Sequence, residues 1–306
     1  MGIQGPQQAD GTADGHSKTS VAYLTIATLF SHGELKMLYN VKKIEYLDST
    51  QVRVYGRPVQ LKTRVKVKES ASSLKSNYKK VSETPRTEKQ IQHSLHTSVN
   101  RTVNQIYAIS RSNKWEYFVT LTIDPKKLDN TDFNLISEKL NIWTNNIKKR
   151  YAPDLKYLLV PELHKDKSKW HFHGLFSNIG TLPLEFSGKV CVGKFVYDYV
   201  RKPYATKIYN LPLWKYGFST ATKVRDSSHA SSYITKYITK DVSRILANQH
   251  RYLASQNTER PVEKVYHIDY DILQYAMEKH LEQVDYISNV KMPFANQQIT
   301  YMEFNK

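Results

Sequence analysis

The stretch Glu162 to Phe176 reads Glu-Leu-His-Lys-Asp-Lys-Ser-Lys-Trp-His-Phe-His-Gly-Leu-Phe and limits what the chain can build more than any other segment. Successive side chains of a strand point to opposite faces. A strand through His171-Phe172-His173 therefore sets two imidazoles side by side and turns Trp170, Phe172 and Gly174 to the other face. Upstream, Lys156 to Glu162 reads as a second strand, and Leu163 to Lys169 is a polar connection of hairpin size. That hairpin brings the Glu162 carboxylate to the His pair, and one carboxylate with two imidazoles makes a candidate site for a divalent metal. His164 is a weaker rival for the third position, because it falls in the connection. A His-x-His strand standing alone is equally compatible with plain structure.

Composition narrows the chemistry. Cys191 is the only cysteine, so no internal disulfide can form and a metal site must use His and carboxylate rather than thiolate. Lys and Arg total 45 against 28 acidic residues, a formal charge of +17, which points to a polyanionic partner, nucleic acid first. No apolar run approaches the ~20 residues of a membrane span, and Met1 to Thr19 lacks a basic start followed by an apolar core. The expected chain is soluble and cytoplasmic, with no membrane partner.

In chain order, residues 1–19 read as a disordered tail. Strand-like alternation follows in Gln51 to Tyr55 and Val59 to Val67, split by an expected turn at Gly56-Arg57-Pro58. Arg53, Lys62, Arg64, Lys66 and Lys68 share one face of that ribbon, either as a solvated surface or as a surface for DNA backbone. Glu69 to Glu83 is a polar linker. A helix is expected from Thr84-Pro85, a good N-cap followed by a good first helical residue, with Ile91, Leu95, Val99, Val103 and Tyr107 recurring every fourth position. Glu116 to Asp124 reads as a strand with Val119, Leu121 and Ile123 on its apolar face and Phe118, Thr120, Thr122 and Asp124 on the other. Phe133, Ile136, Leu140, Trp143 and Ile147 make a second amphipathic helix, started by Thr131 and ended by Lys148-Lys149-Arg150. Within residues 181–216, short strand-like pieces around Lys189 to Val196 are joined by a basic, aromatic stretch holding Tyr197, Tyr199, Arg201, Lys202, Tyr204, Lys207, Tyr209, Trp214 and Tyr216. Such an interleaved set either packs or stacks unpaired bases. Gly217 to Val224 is another strand, and Tyr270 to Val284 another helix.

A third helix, about Ser228 to Leu246, contains Tyr233-Ile-Thr-Lys-Tyr-Ile-Thr-Lys-Asp241. At about 100° per residue Tyr233 and Tyr237 share a face, with Ile234 and Ile238 to one side and Lys236 and Lys240 to the other. The tyrosines either widen the apolar stripe or do chemistry. A phenol can attack a phosphodiester and keep the bond energy in a reversible adduct, with a neighbouring lysine to assist it or to neutralise phosphate charge.

Three segments in this order, Phe118 to Asp124, Pro161-Glu-Leu-His164 with Trp170 to Phe176, and Tyr233 to Asp241, resemble the HUH endonuclease superfamily and, within it, the rolling-circle replication initiators of phages or plasmids of Gram-positive bacteria. The resemblance spans roughly Thr84 to Leu246. It implies an α+β fold, a central antiparallel sheet with helices packed on it in an RRM-like arrangement, extended by a strand-rich N-terminal region and a partly helical C-terminal one. The corresponding division is 1–19 tail, 20–83 basic strand-rich region and linker, 84–249 nuclease domain, and 250–306 extension.

The resemblance also implies roles. His171 and His173 match the metal pair for Mg²⁺ or Mn²⁺, Glu162 stands where a third ligand often does, and Tyr237 with Lys240 matches the nucleophile and its lysine. Tyr233 with Lys236 is an overlapping copy, so either both tyrosines alternate or one reacts and the other packs, Tyr237 being the better fit to the motif. Thr120 and Thr122 support the strand beside the site. The implied reaction nicks single-stranded or hairpin origin DNA in a bacterial host, leaving a 5′-phosphotyrosine and a free 3′-OH. No Gly-x-x-x-x-Gly-Lys-Ser/Thr loop is present, so a host helicase and DNA polymerase are expected partners. A transposase or relaxase would use the same chemistry on other DNA, and a non-catalytic nucleic-acid-binding protein would also explain the charge.

Overall fold

Among the described residues the alternating segments become strands, and two antiparallel sheets result. The structure, a computed structural model, describes residues 38–61, 87–163, 169–193, 195–199, 205–226, 229–235, 251–292 and 297–306. These group into two compact units. The fold is α+β, as the family resemblance implies.

The larger unit holds β3 (Tyr117–Ile123), β4 (Lys156–Leu163), β5 (Trp170–Ser177), β6 (Glu185–Val192), β7 (Phe195–Asp198), β8 (Thr206–Asn210), β9 (Gly217–Lys223) and β10 (Leu253–Ala254). Their order across the sheet is β10-β4-β5-β3-β9-β8-β6-β7. Helix α2 (Phe133–Arg150) covers one face, burying Phe133, Ile136, Leu140, Trp143 and Ile147 against Val119, Leu121, Ile123, Phe172 and Phe176. Each of those five side chains contributes about 2 kcal/mol by leaving water. The opposite face receives α1 (Glu88–Ser112) and α3 (229–235): Ile106, Ile109 and Ile234 pack on Leu158, Val160 and Leu175. Glu162, His171 and His173 alternate in phase with that second apolar set, so they lie on the α1/α3 face.

Local capping departs from the sequence reading at two helix starts. The N-cap of α1 is Thr87, whose hydroxyl accepts from Gln90 N while the Gln90 side chain accepts from Thr87 N in a reciprocal box; Thr84 and Pro85, the expected start, lie outside the described residues. For α2 the cap is Asp132, accepting from Asn134 N and Leu135 N, whereas Thr131 spends its hydroxyl on Asp129. The expected apolar stripe of α1 is also corrected, because Ile91 and Leu95 are exposed while burial concentrates at Ile106 and Ile109. A strict four-residue repeat drifts about 40° per step around a helix, so its two ends face different directions.

The smaller unit is a five-stranded sheet, in the order β11-β1-β2-β13-β12, built from β1 (Leu38–Glu45), β2 (Ser49–Gln60), β11 (Val262–Tyr266), β12 (Tyr286–Met292) and β13 (Gln297–Asn305). Helix α4 (Tyr270–His280) packs Leu273 on Val41, Val52, Val54 and Met302. The expected turn at Gly56-Arg57-Pro58 is a bulge instead: β2 runs through it, and pairing jumps from Val41↔Val54 to Tyr39↔Val59. β13 lies along β2, pairing Ile299 with Tyr55, and keeps the strand extended there. The terminal strands β12 and β13 escape the sequence reading although Thr300, Met302 and Phe304 alternate in phase. Of the basic ribbon face, Arg53 stacks its guanidinium 5.2 Å from the centre of the Tyr301 ring, while Lys62, Arg64, Lys66 and Lys68 lie outside the described residues. No described helix is long and apolar enough to cross a membrane.

Candidate metal centre

Strand register assembles the site. The β4–β5 hairpin sets Glu162 opposite His171 and Val160 opposite His173, and β3 sets Thr120 opposite His173. Glu162 Oε2 then lies 2.8 Å from His171 Nε2 and 2.7 Å from His173 Nε2. The two rings stand edge to face with centroids 4.9 Å apart. Side-chain exposures of 18% for Glu162, 16% for His171 and 11% for His173 leave the group shielded yet reachable from solvent. Burial pushes the Glu162 carboxyl up, but hydrogen bonds from His173 and His171, and their charge, outweigh it, so the group sits below the usual carboxylate range.

The donor set fits a divalent cation. One atom from each of the three residues lies within 4.8 Å of the others, a spacing that lets a single ion replace the direct contacts. Two imidazoles and a carboxylate leave coordination positions for water or a substrate oxygen. Behind His173, Thr120 Oγ1 lies 3.1 Å from Nδ1. A hydroxyl both donates and accepts. With Nε2–H directed at Glu162, Thr120 donates to Nδ1; with Nε2 bare for a cation, Nδ1–H donates to Thr120. The threonine thus serves both tautomers and holds the ring plane in each.

An aromatic link connects this group to α3. The Phe118 ring is 5.8 Å from that of His173 and 5.3 Å from that of Tyr233, and Tyr233 keeps half of its surface exposed. Its neighbour Ile234 is wholly buried and fixes the rotation of α3. Ser231 Oγ donates to Ser110 O at 2.8 Å, and Asp226 Oδ1 accepts from His229 N, so the N-terminal end of the segment is tied. Phe118 is the residue that sequence reasoning missed; its place beside Thr120 on the polar face of β3 was the available signal. His164, Lys236, Tyr237 and Lys240 lie outside the described residues. Trp214, one of the interleaved aromatics, is buried on the far face, where its Nε1 donates to Thr122 O.

Residues 116–242 match the family model of the replication-associated protein ORF2/G2P, a span that takes in β3, the His-x-His hairpin and both tyrosines. Comparison with the curated proteins finds no match, and comparison with the solved structures finds none. The family match supports a role as a replication initiator.

Proposed function

We propose that this chain initiates rolling-circle replication by nicking one DNA strand at an origin, with a tyrosine as nucleophile. The observation that carries the reading is the shared face: Glu162, His171 and His173 converge on the side of the sheet where Tyr233 stands over Phe118. A tyrosine oxygen attacks the scissile phosphorus in line, the bond from phosphorus to the 3′ oxygen breaks, and the phenolic proton is transferred to the departing 3′ oxygen, directly or through solvent. The products are a 5′-phosphotyrosine and a 3′-OH that primes synthesis. One phosphodiester replaces another, so attack by a 3′-OH on the adduct reverses the reaction and closes a circle.

Tyr237 and Tyr233 are the nucleophile candidates, with Lys240 and Lys236 to neutralise charge on the reacting phosphate. Glu162, His171 and His173 would hold Mg²⁺ or Mn²⁺, and such an ion supplies Lewis-acid polarisation of a phosphate oxygen. The imidazole pair favours Mn²⁺ of the two. The substrate is single-stranded or hairpin origin DNA, and a host helicase and polymerase extend the primer in the bacterial cytoplasm. The formal charge of +17 suits that polyanion.

The test is incubation of supercoiled or single-stranded origin DNA with Mg²⁺ or Mn²⁺, followed by denaturing electrophoresis for nicked product and protein-linked DNA. Wild type should give both. Absence of both sinks the proposal. Tyr233→Phe and Tyr237→Phe identify the nucleophile, and complete initiation and termination by either single variant rules out alternation between the two.

A further inference from the structure

A polar groove of about 670 Å³ opens at the β10 edge of the larger sheet. Its lining includes Ser98 and Thr102 of α1 and Arg251, Gln256, Thr258 and Arg260 around β10, with no aspartate or glutamate among the lining residues. Arg251 is only 7% exposed. Among the described residues its side chain makes one hydrogen bond, from Nη1 to Ser98 Oγ at 2.7 Å, and a guanidinium that is always charged carries five N–H donors. A buried cation is ordinarily matched by a carboxylate. The adjacent acid, Glu259, is turned away to Lys156 at 2.9 Å. Arg260 stands exposed at the rim, with Nη1 on Gln105 Oε1 at 3.0 Å.

We propose that this groove binds a backbone phosphate of single-stranded DNA, with Arg251 as the principal contact and Arg260 as a rim contact. A planar guanidinium can meet two phosphate oxygens at once, and the hydroxyl of Ser98, which accepts from Arg251, keeps its own proton to donate beside it. Position identifies the ligand. Leu253 pairs with Leu159 and Ala254 with Leu158, so the groove lies along the edge of β4, the strand that carries Glu162. Ser98 belongs to α1, which covers the face that bears Glu162, His171 and His173. A strand laid across that face leaves the sheet over β10 and passes the groove. This inference rests on the proposed function for the identity of the polyanion, not for the existence of the anion site.

Binding without cleavage separates the two. In EDTA, a fluorescein-labelled single-stranded oligonucleotide is titrated with wild type, Arg251→Gln, Arg251→Lys and Arg260→Gln over a range of KCl concentrations, read by anisotropy. Arg251→Gln should weaken binding about tenfold at low salt, the loss of one charged hydrogen-bonded contact. The slope of log Kd against log salt should fall by about 0.7 for each arginine removed. Arg251→Lys should restore the slope and only part of the affinity. Neutral methylphosphonate linkages, placed one at a time, should reveal one linkage that weakens wild type but not Arg251→Gln.

Unchanged affinity and slope in both Gln variants overturn the proposal. A lowered melting temperature for Arg251→Gln with unchanged slope shows a packing role only and also overturns it; Arg260→Gln, at an exposed residue, keeps the slope test valid whatever happens to folding. Inorganic phosphate titrated into wild type by calorimetry is the second arm. Phosphate binding that Arg251→Gln abolishes, with DNA binding intact, assigns the groove to a free phosphate compound and overturns the DNA assignment. If wild type fails to nick yet these binding differences hold, the proposed function fails and the groove stands.

Discussion

Thr120→Val removes one hydroxyl and nearly nothing else, and it isolates the support behind His173. The Oγ1–Nδ1 contact of 3.1 Å is the hydrogen bond lost, next to a histidine that is 8% exposed. The valine methyl fills the same space, so the change in apolar burial is small. Losing a neutral hydrogen bond costs about 1 kcal/mol, and the Nδ1 left in an apolar setting adds a desolvation cost of similar size. The two contributions fall on different states. When Glu162 faces Nε2–H, Nδ1 is left as a bare acceptor, which is the less costly of the two losses. When Nε2 carries a cation, Nδ1 must hold its proton with no acceptor, so the loss is concentrated in the metal-loaded form. The expectation is a metal affinity lower by about 10- to 100-fold, equal to about 1.4–2.7 kcal/mol, with a small change in metal-free stability. Mn²⁺ titration by calorimetry or by paramagnetic resonance reads the affinity, and thermal melting in EDTA reads the stability. Thr120→Ser, which keeps the hydroxyl, should bind Mn²⁺ nearly as wild type does. A valine variant within about twofold of wild type in Mn²⁺ affinity would refute the tautomer argument.

Other perturbations probe the remaining links. His171→Ala should abolish nicking while leaving salt-sensitive DNA binding within about threefold of wild type, because the binding charge lies elsewhere; equal loss of both in gel-shift and nicking assays contradicts that separation. Gly217→Ala places a Cβ against Thr122 O and 2.7 Å from Asp124 N, both backbone atoms that cannot swing aside. It should cost about 3 kcal/mol by forcing β9 away from β3, visible as a melting temperature lower by roughly 10 °C, and an unchanged melt would show that the strands yield easily. Glu162 has a folded-state pKa below its ordinary value, so its ionised form adds stability that is complete above the ordinary carboxylate value and is lost as pH falls through the lowered one. In metal-free buffer the melting temperature of wild type should therefore drop more steeply than that of Glu162→Gln below about pH 4.3, and parallel curves would remove the ion-pair explanation.

The hairpin and the strand beside it were legible because their constraints are local. Period-two alternation sets which residues share a face, and a seven-residue polar gap between Glu162 and Trp170 permits little other than a return strand. The same holds for α2, whose three- and four-residue spacings survive as five buried side chains. What stayed hidden depends on distant partners. Asp132 outcompetes Thr131 as a cap only because Asp129 already occupies the threonine hydroxyl. The bulge at Gly56 depends on β13, some 240 residues away in sequence, lying alongside β2. Phe118 as a bridge and Arg251 as a cation with no carboxylate partner among the described residues are likewise facts of assembly, since neither residue type nor spacing foretells which aromatic touches a histidine or which side chain an arginine meets.

Pro161 ties the hairpin to its accessibility. A proline cannot donate to a sheet ladder and is confined to edges, ends or interruptions of pairing. On one side β4 pairs with β5 along its whole length, Pro161 meeting Phe172. On the other, β10 pairs only with Leu158 and Leu159, so its ladder ends before the proline. Among the described residues, the end of β4 that carries Glu162 is therefore an edge, while its middle, where Val160 and Leu159 are fully buried, is interior. The carboxylate gains a rigid mount from β5 and a lateral approach from the edge side. Because the pairing with β10 stops short of Pro161, no described strand closes that flank of Glu162. A site that must admit a phosphodiester as well as hold a cation needs this combination, and one residue unable to donate a hydrogen bond is enough to produce it.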